Sequence, residues 1–549
     1  MGTISHNNKS VETNKEQTLF DYADQLGVSI FSSCGRKGTC HECIVEIHSG
    51  MEALTDKSQS EKFLHSPYRL ACQSSCNKEE ATITFSPLQR EPRILTSHSG
   101  FKPPQNNDSP IKRHGDYIHL NDKVIDKYQG QILGIAMDVG TTTVVMELID
   151  LEKGTIIRTN SFGNPQRYAG SDIMNRISYE ASEFQGELHN SIVKGINNAI
   201  ISLLRGTGMK RRQIYEITVA GNSTMRDIVF NISVQTLGQR PYKSIVEQEY
   251  LSGKRTTTAL RTSSKELGIL INPSGQIYGL PLIGSHVGAD TAAALSAMDM
   301  FNKSNFSMLM DVGTNTEIVA KFESTIIAAS CPAGPAFEGG LVDYGMPAYE
   351  GAIEKLKWQD GKFSYKTINN RPPEGICGSG LIDLIAELRK YHLITEKGVF
   401  THDKRAKEIA VVKEHGISFS RQDASNLAQA KSANFCGQLI VTREFGLSPE
   451  KIDNLYLAGG FANYINVNNA IAIGFLSPIN ETKVIKIGNA SLLGARKILL
   501  SVSEREELER SVTNIKHIEL ETADDFFEVF VDGCRFEPMD FSKSKVKKL

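Results

Sequence analysis

The stretch "AMDVGTTTVVMELIDLEKGTIIRTNSFG" reads as a strand, a tight turn at Gly140–Thr142, a second strand, a turn at Glu152–Gly154 and a third strand. "LMDVGTNTEIVAKFESTIIAASCPAG" restates that unit, with Asp138 and Asp311 standing 173 residues apart. Internal repetition of strand–DxGT–strand is the strongest architectural signal in the chain. Each copy is followed by a strand that ends in a glycine turn, "EITVAGNSTMRDIVF" around Gly221 and "NLYLAGGFANYINV" around Gly459 and Gly460. Two small-residue helices, "GSHVGADTAAALSAM" and "GNASLLGARKILLS", follow in matching places and can pack closely together.

This pattern suits nucleotide phosphates. An Asp at a strand end can hold magnesium or its waters, and Gly lets the backbone approach closely. Thr hydroxyls and turn amides then contact phosphate oxygens. One DxGT would be weak evidence; two of them, with LAGG in order, are strong. The ordered set resembles the acetate kinase, sugar kinase, Hsp70 and actin superfamily, whose members build two RNase H-like lobes with ATP in the cleft. That resemblance implies a first phosphate loop of Asp138, Gly140, Thr141 and Thr142, and a second of Asp311, Gly313, Thr314 and Asn315, with Thr143 and Thr316 as cofactor-binding candidates beside them. Gly459, Gly460 and Phe461 would line an adenosine pocket, with Gly221, Asn222 and Gly334 as further cofactor-binding candidates. Asp138, Asp311 and Glu317 are the catalytic candidates, able either to orient a water or to serve magnesium alone.

Thiols form the second signal. Of nine cysteines, five fall between Cys34 and Cys76, which in a reducing compartment points to metal before disulfides. Cys34, Cys40, Cys43 and a distant Cys72 follow a C-x5-C-x2-C spacing, one residue longer in the first gap than the plant-type ferredoxin pattern. "GRKGT" supplies Gly35 and Gly38, which let amides turn toward the sulfurs. The alternative is zinc, using the CxxC knuckle with His41, His65 or Cys76, although zinc sites usually pair their ligands across shorter loops. Residues 8 to 90 resemble ferredoxin-like 2Fe–2S domains with the longer first gap. The resemblance implies Cys34, Cys40, Cys43 and Cys72 as ligands. His41 stands where such loops commonly carry a small residue.

A length of 549 residues asks for roughly three or four domains. From Thr96 to about Gln129, proline, asparagine, serine and charge dominate, as in a linker. The domains expected are 1–95 (cluster domain), 96–130 (linker), 131–210 (first phosphate hairpin) and 211–549 (ATP-binding, with the second hairpin and the adenosine motif). In fold class the chain is α/β and α+β multidomain: a β-grasp-like 2Fe–2S ferredoxin domain, a flexible linker and two RNase H-like lobes. A net charge of −2 gives no reason to expect nucleic acid or an anionic membrane. No apolar run approaches the ~18 residues of a membrane span, and "MGTISHNNKS" is no secretory signal, so a cytoplasmic location is expected.

Nearly the whole chain resembles the reductive activators of corrinoid proteins. The cluster motif carries this resemblance together with "NPQRYAGSDIMNRI" from Asn164, "VAGNSTM", "DVGTNTEI", "CPAGPAFEGG", "ICGSGLIDLIAEL" and "LAGGFANYIN". It implies ATP-dependent, one-electron reduction of cob(II)amide to cob(I)amide through a 2Fe–2S cluster, reactivating a methyltransferase system. The cofactors implied are the cluster, ATP and Mg2+. The partners are a corrinoid protein, an external low-potential electron donor and a second copy of the chain. The readings of another kind are an ATP-gated, redox-sensing binding module and an activator of a different low-potential enzyme.

Overall fold

A computed structural model describes the chain except for residues 1, 7–8, 15–16, 29, 31, 33, 79, 89–106, 171, 402–404, 461 and 541–549. Strands β1 (Thr3–His6), β2 (Lys9–Glu12), β3 (Ile44–Ser49), β4 (Tyr68–Leu70) and β5 (Thr82–Pro87) form a mixed sheet in the order β2-β1-β5-β3-β4. The Leu19–Leu26 helix lies against it. It opens with a capping box between Thr18 and Asp21 and buries Leu19, Tyr22, Ala23 and Leu26. This is the β-grasp arrangement expected for a ferredoxin-like unit.

Residues 111–127 correct one expectation. Strands β6 (Ile111–His114), β7 (Tyr117–Leu120) and β8 (Lys123–Lys127) form an antiparallel meander where the sequence reads as linker. Ile111 and Ile118 are buried against Ile132, Ile149 and Leu151 of the next unit. The strands escape a period-2 search because each has four or five residues and few of their side chains are buried. Residues 96–106 of the expected linker lie outside the described residues.

The repeat folds as a repeat. Strands β9 (Leu133–Val139), β10 (Thr143–Asp150), β11 (Thr155–Gly163), β12 (Ile214–Gly221), β13 (Leu260–Ser263) and β14 (Gln276–Gly279) form a sheet in the order β11-β10-β9-β12-β14-β13. In the second lobe come β15 (Ser307–Val312), β16 (Thr316–Phe322) and β17 (Thr325–Cys331). They are followed by a three-stranded insertion of β18 (Ala352–Gln359), β19 (Lys362–Thr367) and β20 (Gly375–Ile376), then a hairpin of β21 (Glu408–Val412) and β22 (Ile417–Ser420). The sheet resumes with β23 (Asn454–Ala458), β24 (Val484–Gly488) and β25 (Lys516–His517), in the order β24-β23-β15-β16-β17-β25. From the hairpin outward, β11-β10-β9-β12-β14 and β17-β16-β15-β23-β24 are one topology written twice. The expected boundary at residue 210 falls inside the first sheet, because β12 pairs in parallel with β9. The first lobe therefore runs on to Gly279 and beyond.

The two small-residue helices, Ala289–Ala297 and Ala490–Leu500, pack along each other between the sheets, as their composition suggests. A Cβ on Gly494 would stand 2.0 Å from the carbonyl oxygen of Ala293. Gly494→Ala is expected to cost about 2–3 kcal/mol through forced separation of these helices, read as a lowered urea midpoint at unchanged slope.

Two buried ion pairs fasten the C-terminal helices to the first sheet. Arg505 Nη1 lies 3.0 Å from Glu216 of β12, and Arg496 Nη1 lies 3.3 Å from Glu147 of β10. Arg505→Met strands the Glu216 carboxylate in the core. The expected loss is about 3–5 kcal/mol, with most of it regained in the Arg505→Met/Glu216→Leu double variant. Equal stability of the single and double variants in equilibrium unfolding would show the pair to be inert.

Candidate functional site

Both phosphate hairpins open onto one cavity of about 370 Å³ between the lobes. Asp138, Gly140, Thr141, Thr142, Thr143 and Asn222 line it from the first lobe. Asp311, Gly313, Thr314, Asn315, Glu317, Gly459 and Gly460 line it from the second. Gly221 stands just behind: a Cβ there would approach the Val139 carbonyl oxygen to 2.8 Å. Gly459 plays the same part in the second lobe, at φ +105° and with a Cβ that would come within 2.1 Å of the Val312 oxygen. Only glycine lets each parallel strand end close against its hairpin. Thr316 is buried in β16 with no hydrogen-bond partner for its hydroxyl, and Gly334 lies outside the cavity lining. Phe461 lies outside the described residues.

The hairpins differ by one residue. In the first, Gly140 donates to Thr143, whereas in the second Gly313 donates to Asn315. Consequently Asp138 faces Val145 across its ladder, but Asp311 faces Glu317. Two carboxylates directly opposite each other repel unless a proton or cation sits with them. Burial, with the charges of Asp290 and Asp138, pushes Asp311 up to about 8. Burial, with Asp290 and Asp311, pushes Glu317 well above the usual carboxylate range. Asp138 is also raised by burial, although Asn489 Nδ2 (2.7 Å) and Ser491 Oγ (2.9 Å) donate to its two oxygens.

Among the cavity residues that the sequence reading missed, Asp290, Asn489, Ser491 and Glu338 lie closest to the hairpin chemistry. Asp290 opens the Ala289–Ala297 helix and is raised by burial to about 6. Asn489 and Ser491 sit at the start of the Ala490–Leu500 helix. Glu338 follows Phe337 in a 3-10 turn, Pro335–Glu338, and its carboxylate accepts from the Thr314 hydroxyl. The available signals were "GAD" and "GNAS" at the starts of two small-residue helices. Phe337 is buried and lines the cavity, so the glycine-rich loop beside the second hairpin is a short ordered turn.

The cysteines converge in the first unit. Cys40, Cys43 and Cys72 are buried, Cys34 is more open, and Cys43 Sγ lies 3.4 Å from Cys72 Sγ. Ser32 Oγ stands 3.8 and 3.9 Å from the sulfurs of Cys34 and Cys40. Desolvation raises the Cys34 thiol, but amides of Cys40 and Thr39 outweigh it and bring the thiol down to about 5. Cys72 is held down to about 6, chiefly by the hydrogen bond from Cys43. Amides aimed at sulfur are what a thiolate-ligated cluster requires. Among the described residues no three Cys, His, Asp or Glu side chains meet at one metal-sized point. Cys43 and Cys72 stand as one pair and Cys34 and Cys40 flank Ser32 together, a set of four thiols that fits the four thiolates of a two-iron cluster. Cys76 is buried apart, its thiol donating to the Lys78 carbonyl.

A family model described as "2Fe-2S iron-sulfur cluster binding domain" matches residues 3–77. "RACo middle region" matches 133–303, and "C-terminal domain of RACo the ASKHA domain" matches 305–547. The chain belongs to the RACo family. The two RACo models meet between Met300 and Asn305, where the first lobe gives way to the second, well past residue 210. A corrinoid activation enzyme, RamQ of Eubacterium limosum, is 26% identical and aligned over 96% of this chain and 98% of its own. The [Co(II) methylated amine-specific corrinoid protein] reductase of Methanosarcina barkeri is 25% identical over 72% of this chain and 75% of its own. Among solved structures, a reductive activator for corrinoid, iron-sulfur protein superposes with a TM-score of 0.68 at 25% identity, covering 99% of both chains. RACo membership thus joins the thiol cradle and the two-lobed nucleotide fold in one chain.

Proposed function

We propose that this protein reduces the cob(II)amide of a corrinoid protein to cob(I)amide, one electron at a time, with ATP driving the step and returning a methyltransferase system to activity. The observation that carries this reading is the pairing, in one chain, of a four-cysteine cradle with a cavity between two DxGT hairpins. When bound, the 2Fe–2S cluster supplies a one-electron carrier. Cys34, the least buried of its four ligands, gives an external low-potential donor an exposed edge.

In the cavity, Thr141, Thr142, Thr314 and Asn315 bind the phosphates of ATP, and the glycines at 459 and 460 leave room for the adenosine. Asp138 and Asp311 hold Mg2+ or its waters, with Asp290 and Glu317 as the carboxylates behind them. Neutralising this raised group of acids is the work a divalent cation does there. A nucleotide can shift the reduction only as far as it distinguishes two states of the complex. A ~10⁴-fold preference corresponds to roughly 240 mV for one electron.

A homodimer is part of the proposal. Its support is the Phe526–Gly533 helix, which leaves Phe527 76% and Val531 52% exposed, four residues apart. A cytoplasmic location is proposed from thiol chemistry that needs a reducing compartment. Among the described residues no helix is long and apolar enough to cross a membrane.

The test follows a cob(II)-loaded corrinoid protein anaerobically by visible absorption, with this protein, a low-potential reductant, and ATP present or absent. ATP-dependent replacement of the cob(II) band by the cob(I) band is the expected result. A persisting cob(II) spectrum while ATP is still hydrolysed would overturn the reading.

A further inference from the structure

The stretch "NPQRYAGSDIMNRI", beginning at Asn164, carries family resemblance but no role in the cavity. Its contacts give it one. Three successive carbonyls of the first phosphate loop are held by this stretch. Asn164 Nδ2 donates to Gly140 O (2.8 Å), Arg176 Nη2 to Thr141 O (2.6 Å), and the Asn164 amide to Thr142 O (2.8 Å). In a trans peptide the carbonyl and the following N–H point in opposite directions. Pinning the oxygens of Gly140 and Thr141 therefore turns the amides of Thr141 and Thr142 away from the stretch. These two residues line the cavity, so an incoming phosphate would meet amides there and not carbonyl oxygens.

Arg176 is completely buried and also reaches Gly170 O (3.1 Å) and Gln166 Oε1 (3.3 Å). Gln166 in turn donates to Leu188 O (3.1 Å), tying the stretch to the Glu187–Leu204 helix. The far side of this assembly is the seat of the cluster domain. Tyr179, one turn on from Arg176, donates to Phe63 O (2.9 Å), and the Phe63 ring stands edge-on to Tyr168 at 5.4 Å. Arg167 lies 3.8 Å from Glu46 of β3, and Lys194 donates to Cys40 O (2.6 Å). His41 stacks on Phe63 at 4.2 Å. One element of under twenty residues thus touches the phosphate loop on one side and the cluster domain on the other.

We propose that Asn164 and Arg176 are positioning residues that hold the first phosphate loop ready for nucleotide, and that the seated cluster domain steadies them through Phe63, Tyr168 and Tyr179. Nucleotide binding and seating of the cluster domain then strengthen each other by the same factor, as linkage requires. The electron-carrying domain is drawn to its seat when the nucleotide site fills. This rests on the cavity's being a nucleotide site.

The test uses the full-length holoprotein and a non-hydrolysable ATP analogue, with affinity measured calorimetrically and amide exchange measured along the chain. In the wild type the analogue should slow exchange in Ile44–Ser49 and Ile173–Glu180. Tyr179→Phe removes the hydroxyl that bonds Phe63 O and neighbours the Tyr168 hydroxyl, and should weaken analogue binding roughly three- to tenfold and abolish the slowed exchange of Ile44–Ser49. Phe63→Ala should act in the same direction, and Arg176→Lys should lose affinity more severely. Wild-type affinity in both Tyr179→Phe and Phe63→Ala, with exchange in Ile44–Ser49 indifferent to nucleotide, would overturn the proposal even if Arg176→Lys bound poorly. Failure of the wild type to bind the analogue would instead remove the nucleotide assignment itself.

Discussion

Asp311→Asn is expected to make the nucleotide-free protein more stable at pH 8 while slowing ATP hydrolysis by about 10²-fold or more. The Asp311 carboxyl titrates near 8 in the folded chain, against an ordinary value of 3.8. Between those values the folded state holds a proton that the unfolded chain has released. The stability this group contributes is therefore full below about pH 4 and is lost progressively as pH rises to 8. Asparagine cannot ionise and escapes that loss. A gain on the order of 1–3 kcal/mol at pH 8 would raise Tm by roughly 1–6 °C, with little difference between variant and wild type at pH 4. Magnesium should stabilise the wild type far more than the variant, by supplying the counter-charge the carboxylates lack. A variant that melts below wild type at pH 8 would show the carboxyl to be internally compensated.

Cys43→Ser is expected to remove the visible charge-transfer absorption of the 2Fe–2S cluster and take ATP-dependent cob(II) reduction to background. Cys43 sits in the β-grasp core beside Cys72, where its thiol is raised by the Cys72 contact and by burial. Its place in the C-x2-C spacing and its sulfur 3.4 Å from that of Cys72 support the proposal that it is a cluster ligand. ATP hydrolysis should survive, because the cavity carries no thiol. Retention of the cluster spectrum in the variant would move the fourth ligand to Cys76.

The lobes were legible because their signals are redundant. Two DxGT hairpins, two glycine-ended strands and two small-residue helices occur in the same order, and each copy checks the other. The cysteine set was suggested by its spacing together with the ferredoxin-like resemblance, and the family model for a 2Fe–2S domain covers it. Short-range reading failed where the information is tertiary. The β6–β8 meander owes its existence to Ile111 and Ile118 packing on a lobe that follows them in sequence. The boundary at residue 210 failed because the helix Glu187–Leu204 looks like an ending, while β12 returns to pair with β9. Asp290 and Glu338 escaped for a related reason: neither belongs to a hairpin motif, and only helix packing brings Asp290 near Asp311 while the turn after β17 folds Glu338 onto Thr314. His41, odd as a ferredoxin-loop residue, makes sense once Phe63 and the neighbouring lobe are in view.

The fastening of the last helices to the first sheet also sets an order of events during synthesis. Leu492, Ala495 and Leu499 share one core with Ala136, Ile149 and Tyr215 of the first lobe. That face is complete only after residue 500 has left the ribosome, more than two hundred residues behind β14. At roughly 5–20 residues per second, the nascent first lobe waits about 10–40 s with an open apolar face. It is a natural client for a chaperone during that interval, and the first lobe cut out alone at residue 303 should aggregate unless the helix Ala490–Leu500 is supplied in trans.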